Sequence, residues 1–462
     1  MTVTARHVSV SRGSAGWLPL FAVCLGYFLV ILDVTVVSVA LPAVGTALRT
    51  GVTGLQWVVD GYTLTFAGLL LFCGGLGDRI GGKPVFLAGL GVFTIASACC
   101  GLAPSAGALV GARLAQGAGA ALMVPSSLAL LQHAYPDRRA RGRAFGAWGM
   151  VAGTAAAAGP VLGGVLVSTV GWRSVFLINL PFGILGLALT ARHVPAPPGP
   201  ATVQGSRAGR GIDLPAQLSA ALCLAALTSA LIETGPLGWT APVVLAGFGV
   251  CAAAFGVFVA LERRSRAPML PLELFASRRF SASAVIGVLL NLGFYGLLFV
   301  LPLYFERVRH LGALETGLAM LPMAAMPMIA SPLGGRVAGR RGCHVPMTAG
   351  LTIGGIGLLS WLLAGPGTSY PALIAPLMLT GFGMGFAMPA TTMAIMDAAP
   401  ARRGGVASAV FNAARQTGSA VGVALVGAMA ASGLVTGLHT SAVVGGAAFG
   451  ASVMLTLAAI RT

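Results

Sequence analysis

Apolar residues in this chain do not alternate with polar ones at either the helix or the strand period. They run unbroken for about twenty positions at a time, separated by short polar or glycine-rich breaks. A run of that length is what a helix needs to cross a hydrocarbon core of ~30 Å. Fourteen such runs can be placed, at about 15–42, 56–77, 84–102, 107–131, 142–168, 174–193, 213–233, 240–261, 281–305, 314–337, 345–364, 371–396, 404–431 and 440–460. The pattern predicts an all-α polytopic membrane protein. The first run follows a short basic segment (Arg6, Arg12), as a signal peptide would, but it is too long for a signal core and is expected to stay as a span.

Composition agrees with the pattern. Hydrophobic residues make up 56% of the 462 positions, charged residues only 8%, and the mean hydropathy is +0.90. The net charge of +17 would suggest nucleic acid in a soluble chain. Here its distribution gives another reading. Of the 28 Lys and Arg residues, Arg49, Arg173, Arg307 and Arg309 fall in one set of loops, and Arg113 and Arg415 fall within spans. The other 22 (28 less these six) lie in the alternate loops, tails and adjoining span ends. The positive-inside rule then puts both termini in the cytoplasm of a cell whose inner (plasma) membrane holds the chain, and leaves no role for nucleic acid. The seven cysteines lie within or beside spans without zinc or disulfide spacing, and the six histidines are scattered, so no metal site is expected.

Asp33 is the acidic residue of the first span. A carboxylate at membrane depth costs roughly 2.5–3.5 kcal/mol on insertion scales, so such groups are rare and usually functional. It is expected to carry a proton or cation, or to meet a charged substrate. Arg113, in the fourth span, stays charged; close to Asp33 it would lower the carboxylate's proton affinity, and moving away would raise it. Asp60, at the start of the second span, is the next candidate proton carrier or else a hydrated helix-end residue.

An internal repeat organises the spans. Residues 113–136 (RLAQGAGAALMVPSSLALLQHAYP) align without gaps to 377–400 (LMLTGFGMGFAMPATTMAIMDAAP), matching Gly117, Gly119, Pro125 and Pro136 to Gly381, Gly383, Pro389 and Pro400. GGLGDRIGG (74–82) resembles GGRVAGRRG (334–342). Parallel repeats about the membrane normal are how many secondary transporters build a midplane site that opens to either side. The expected division is a six-helix bundle over 1–193, a Pro/Gly-rich cytoplasmic linker over 194–212, two inserted helices over 213–261 and a second six-helix bundle over 262–462.

These motifs carry a family resemblance. GGLGDRIGGKP (74–84) resembles the signature loop of the major facilitator superfamily. LDVTVVSVALP (32–42), QWVVDGYTL (56–64), RLAQGAGAA (113–121), AAAAGPVLGG (155–164), WRSVFLINLPFG (172–183) and FNAARQTGSAVGVA (411–424) are similar to the fourteen-span drug:proton antiporters of that superfamily, over essentially the whole chain. Ser38 stands where the family often has Asn, and Gly339 where the second signature loop often has Asp. The resemblance implies the major facilitator fold and a proton-coupled exporter of hydrophobic, cationic or neutral drugs. Such a protein uses the proton gradient and no cofactor, and its partners are a small substrate, protons and lipid. Sequence leaves the oligomeric state open, a monomer being compatible. The runner-up readings are a dedicated exporter of one self-made metabolite, a proton symporter, and, from another class, a membrane-embedded sensor or enzyme.

The remaining candidates follow from chemistry and family together. Gly75, Asp78, Arg79, Gly81 and Lys83 form a turn with charges at two helix ends, suited to latching one conformation. Gly159, Pro160, Gly163 and Gly164 make a small, kinked helix face that can pack closely against a neighbour; in the resembling family this element accompanies antiport. Gln116, Asn291, Phe294, Tyr295, Asn412 and Arg415 are candidates for the substrate path, with Met320, Met323, Met384 and Met388 as adaptable apolar wall.

Overall fold

The computed structural model describes residues 17–135, 138–195, 214–265, 270, 272–400 and 404–460. Among these the chain is helical throughout, without a strand. The helices are α1 (Trp17–Ala47), α2 (Val52–Ile80), α3 (Gly82–Gly101), α4 (Ala106–Ala134), α5 (Arg138–Thr169), α6 (Ser174–Leu177), α7 (Asn179–His193) and α8 (Leu214–Leu237). They continue with α9 (Pro242–Arg264), α10 (Arg278–Leu303), α11 (Ala313–Arg341), α12 (His344–Ser360), α13 (Tyr370–Ala398), α14 (Gly404–Ala430) and α15 (Leu434–Ala459). Most of the linker, 196–212, lies outside the described residues.

Every expected span coincides with a helix, and the expected 174–193 span is α6 and α7 in succession. Pro181 explains the break: it has no N–H for the carbonyl of Leu177, so the hydrogen-bond ladder restarts at Asn179. Most helices overrun the expected spans because hydropathy stops counting where polar residues begin, while the backbone goes on until capped. Ser105 ends the turn before α4 by accepting from the Ala108 N–H at 3.2 Å, and Glu315 turns back to accept from the Gly312 N–H at 2.9 Å before α11. Eleven helical segments are long and apolar enough to cross a membrane. The others, α2, α5 and α14, have 29, 32 and 27 residues. At 1.5 Å per residue each still reaches about 40 Å, and α2 and α14 carry Asp60, Asp78, Arg79, Asn412 and Arg415 among the polar positions singled out above.

α1 packs on α5 and α7, α3 on α4, and α4 on α2; in the second half α10 packs on α14 and α15, α12 on α13 and α15, and α11 on α13. Two seams join the halves, α5 against α11 and α2 against α14. α8 lies over α2 and α14 and holds α9 on its outer side. α9 exposes Val243, Leu245, Val250, Phe255 and Val257, with only 11% of its most apolar window buried, as a lipid-facing helix would. Cys223 of α8 and Cys251 of α9, far apart in sequence, bring their sulfurs to 3.6 Å as free thiols.

The repeat is visible in close helix approaches. A Cβ on Gly117 would fall 2.3 Å from the Tyr62 carbonyl oxygen, and one on Gly381 would fall 2.2 Å from that of Met323. Gly119 meets the Gly89 oxygen at 2.8 Å in the same sense, and Gly383 meets the Gly350 oxygen at 2.6 Å. The partners Tyr62 and Met323, and Gly89 and Gly350, are each 261 positions apart (323 − 62 and 350 − 89). The left-handed turn glycines Gly81 (φ 96°) and Gly342 (φ 84°) keep the same offset, 342 − 81 = 261. This corrects the expected pairing of 74–82 with 334–342 by one residue, because the turn geometry rather than the string of glycines sets the register.

Candidate functional site

Asp33 faces inward from the middle of α1 and is 1% exposed. Its carboxylate accepts from three side chains: Arg113 Nη1 on Oδ2 as a salt bridge, and Gln116 Nε2 at 2.8 Å and Asn179 Nδ2 at 3.1 Å on Oδ1. Arg113 and Gln116 share a face of α4 because they are three residues apart, and Nη1 also donates to Gln116 Oε1 at 2.8 Å. Ser97 on α3 accepts from Gln116 at 2.7 Å and from Asn179 at 3.0 Å. The Arg113 Nε donates to the Val58 carbonyl of α2 at 3.0 Å, and the guanidinium lies 4.4 Å from the centroid of the Tyr62 ring. Three helices of the first half thus meet at one carboxylate, and α2 and α3 hold its partners.

Sequence reasoning singled out Asp33 and Arg113 for this site but placed Gln116 on the substrate path; its amide is instead spent on Asp33 and Ser97. It missed Ser97 and Asn179. Asn179 had a signal, an amide in an apolar span two residues before a proline. Ser97 had none, since serine is common in helices whose hydroxyls bond their own turn.

Asp60 corrects an expectation. It is not a hydrated helix-end residue: α2 begins at Val52, two turns earlier, and Asp60 is fully buried. Both its carboxylate oxygens lack a hydrogen-bond partner among the described residues. It lies one turn from Gln56, whose amide crosses to α14 and donates to the carbonyls of Ala424 at 2.8 Å and Val423 at 3.4 Å. Asp60 therefore belongs to the seam face of α2, apart from the Asp33 cluster.

The small residues of α5 point two ways. Gly159 and Gly163 lie against α1, where Cβ atoms would fall 1.9 Å from Thr35 Oγ1 and 3.1 Å from the Val36 oxygen. Pro160 and Gly164 lie against α11 across the seam: Gly317 approaches the Pro160 oxygen, and Gly164 the Ala313 oxygen. Contact with the opposite half is thus made by Pro160 and Gly164, and Gly159 packs within its own half. The α2–α14 contact at Gln56 and Gly427 lies at the same end of the bundle, as do Phe299, Leu303 and Val423, which share an apolar cluster with Leu41, Val44 and Leu55.

At the other end, Gly81 makes the α2–α3 turn. Lys83 donates to the Ala191 carbonyl at 2.9 Å, placing its charge on the carboxyl end of α7. That tie stays within the first half. Gly75 faces open space, Arg79 is exposed in the last turn of α2, and the side chain of Asp78 lies outside the described residues.

Between the halves is a cavity of about 110 Å³. Phe294, Tyr295, Asn412 and Arg415 line it, together with Met320 and Met323. Asn291 does not: it is buried and donates to the Gly287 carbonyl of its own helix at 2.8 Å. Met384 and Met388 lie in the second half's packing instead. Tyr62 joins the two sites, lining the cavity while its ring lies under Arg113. Tyr27, on the cavity wall, stacks on Trp148 with ring centroids 3.7 Å apart.

Two repeated helical halves with a buried ion pair beside a cavity at their junction are the architecture of a secondary transporter. The family model described as Major Facilitator Superfamily matches residues 23–423, and the chain belongs to that family, one of membrane transporters and not of enzymes. Its relatives include a methylenomycin A resistance protein of Streptomyces coelicolor, 41% identical over 88% of this chain and 84% of the relative. A protein of the same description from Bacillus subtilis is 38% identical over 91% and 89%. The multidrug resistance protein Stp of Mycobacterium tuberculosis is 37% identical over 90% of this chain and 76% of its own.

Proposed function

We propose that this chain exports hydrophobic antibiotics or related compounds from the cytoplasm in exchange for protons, by alternating access. The observation that carries the reading is the Asp33–Arg113 pair, buried and bridged to the cavity by Tyr62. While Asp33 is ionised, Arg113, Gln116 and Asn179 hold α1, α4 and α7 together. A proton on Asp33 removes the charge that Arg113 neutralises, so the guanidinium loses its reason to stay and α4 is free to shift against α1. Such a shift passes through Tyr62 to the cavity wall, which couples proton loading to substrate release. Entry of each proton through the potential contributes about 2.3 kcal/mol per 100 mV, so no nucleotide or other cofactor is needed.

In this reading the halves are six-helix bundles, α8 and α9 are the two inserted helices, and fourteen spans cross the inner membrane with both termini cytoplasmic. The seams at Gln56–Ala424 and Gly164–Ala313 then close the outer side, and the conformation is one that faces inward. The relatives' names support drug export, and they divide between single-antibiotic and multidrug resistance. The test is a susceptibility panel in a pump-deficient host together with inverted vesicles carrying an acidic lumen. Wild type should lower susceptibility and release lumenal protons when substrate is added; Asp33→Asn should insert in the membrane and do neither. Undiminished proton exchange by Asp33→Asn would move the carrier to Asp60, and proton movement in the same direction as substrate would make the protein a symporter.

A further inference from the structure

Arg415 is the one charged side chain among the described residues that line the cavity. It has no carboxylate to answer it there. Asp33 is saturated by Arg113, Gln116 and Asn179, and Asp60 is not a lining residue. Within its own helix the guanidinium has a long contact, Nη1 to Asn412 Oδ1 at 3.5 Å, and lies 6.0 Å from the centroid of the Phe411 ring, and its Nε is buried without an acceptor among the described residues. A buried donor left unpaired on a fixed cation is costly unless something supplies the acceptor. The lining around it is otherwise neutral. Tyr27 and Tyr295 are within reach of its field, Gln416 and Ser419 add hydrogen-bonding groups, and Phe294 and Met320 give apolar wall.

We infer that the cavity selects compact hydrophobic compounds bearing an acid group, whose carboxylate pairs with Arg415. This departs from the expectation of cationic or neutral cargo and rests on the export reading above. A carboxylate can take two parallel N–H bonds from a guanidinium, Nε among them, which an amide or ester oxygen matches only in part. A cationic drug would meet the guanidinium with no anion between them. At about 110 Å³ the cavity is smaller than one of 150 Å³ that takes benzene, so it limits the cargo to about a single small ring unless its walls give.

The protein is tested in lipid nanodiscs by calorimetric titration with three single-ring probes: benzoate, benzamide and benzylammonium. Wild type should bind the acid at least tenfold more tightly than the amide (about 1.4 kcal/mol), and the cation most weakly. Arg415→Gln should bring the acid down to the amide's affinity while leaving the amide within about twofold; Arg415→Lys should retain part of the preference. Equal or tighter binding of the cation in wild type would overturn the inference, as would an acid preference that survives Arg415→Gln, or no binding of any probe. Should Arg415→Gln fail to fold, the wild-type order of acid and cation still decides. Failure of the export reading is seen separately, as unchanged drug susceptibility, and does not alter the binding order.

Discussion

Replacing Asp33 by Asn changes one atom's chemistry and very little shape, yet it should disrupt the whole cluster. The carboxylate accepts three side-chain donors. Asn offers one acceptor and one NH₂. With its oxygen toward Arg113, its NH₂ faces the amides of Gln116 and Asn179; turned over, it presents NH₂ to a guanidinium. Either way a donor opposes a donor, and Arg113 is left buried without its counter-charge. Removing one partner of a buried pair typically costs about 3–5 kcal/mol. Arg113→Gln should cost a similar amount for the converse reason. In the double variant no net charge is stranded, and the four amides can pair among themselves.

The double should therefore lose clearly less stability than the sum of the singles, with a coupling of about 1–3 kcal/mol, the range found for residues sharing one network. Thermal unfolding of the detergent-purified single and double variants, followed by tryptophan emission, measures this cycle. Additive losses would show that Asp33 and Arg113 do not act as a pair, and the coupling mechanism would fall with them.

The seam predicts two distinct outcomes for valine on glycine. Gly317→Val would press on the backbone oxygen of Pro160, where a Cβ already falls at 2.2 Å. It should hold α5 and α11 apart, so a cysteine placed at buried Leu303 should react faster with an impermeant maleimide; an unchanged rate would refute it. Gly159→Val presses on Thr35, two residues from Asp33, and should weaken proton coupling while leaving that rate alone. Gly81→Ala puts a side chain at φ 96° and should cost on the order of 1–3 kcal/mol, read as a lowered unfolding temperature, whereas Gly75→Ala, facing open space in a helix, should cost nothing. Reporter fusions within 196–212 should lie in the cytoplasm and fusions in the α8–α9 turn outside; the opposite result would undo the fourteen-span division.

How much was legible depended on the kind of signal. Helix positions were, because twenty apolar residues in a row admit few other readings. Asp33 and Arg113 were, because an ionisable residue is conspicuous against that background. What the string could not carry was which face of each helix met which neighbour. For that reason the string leaves Asp60 open between a proton carrier and a hydrated helix-end residue; α2 begins two turns earlier, at Val52, and Asp60 is buried. The same ignorance of faces put Gln116 on the substrate path and joined Gly159 with Pro160, although adjacent residues on a helix point about 100° apart.

The repeat, finally, is conserved in backbone and broken in chemistry. Gly117 and Gly381 bring their helices together in the same way, yet Arg113 corresponds to Leu377 and Gln116 to Thr380, both buried in the second half. Tyr62, which carries the guanidinium's face to the cavity, corresponds to Met323, a plain apolar wall. Asp78 corresponds to Gly339 in the register fixed by the turns. Equivalent halves would open to the two sides with equal ease and nothing to drive the choice. Placing the buried ion pair in one half alone gives the protonation state a single set of helices to act on. The second half answers with Arg415, on the far wall of the cavity. In the proposed exchange, proton and cargo bear on opposite halves, and what links them is the shared wall to which Tyr62 and Tyr295 both contribute.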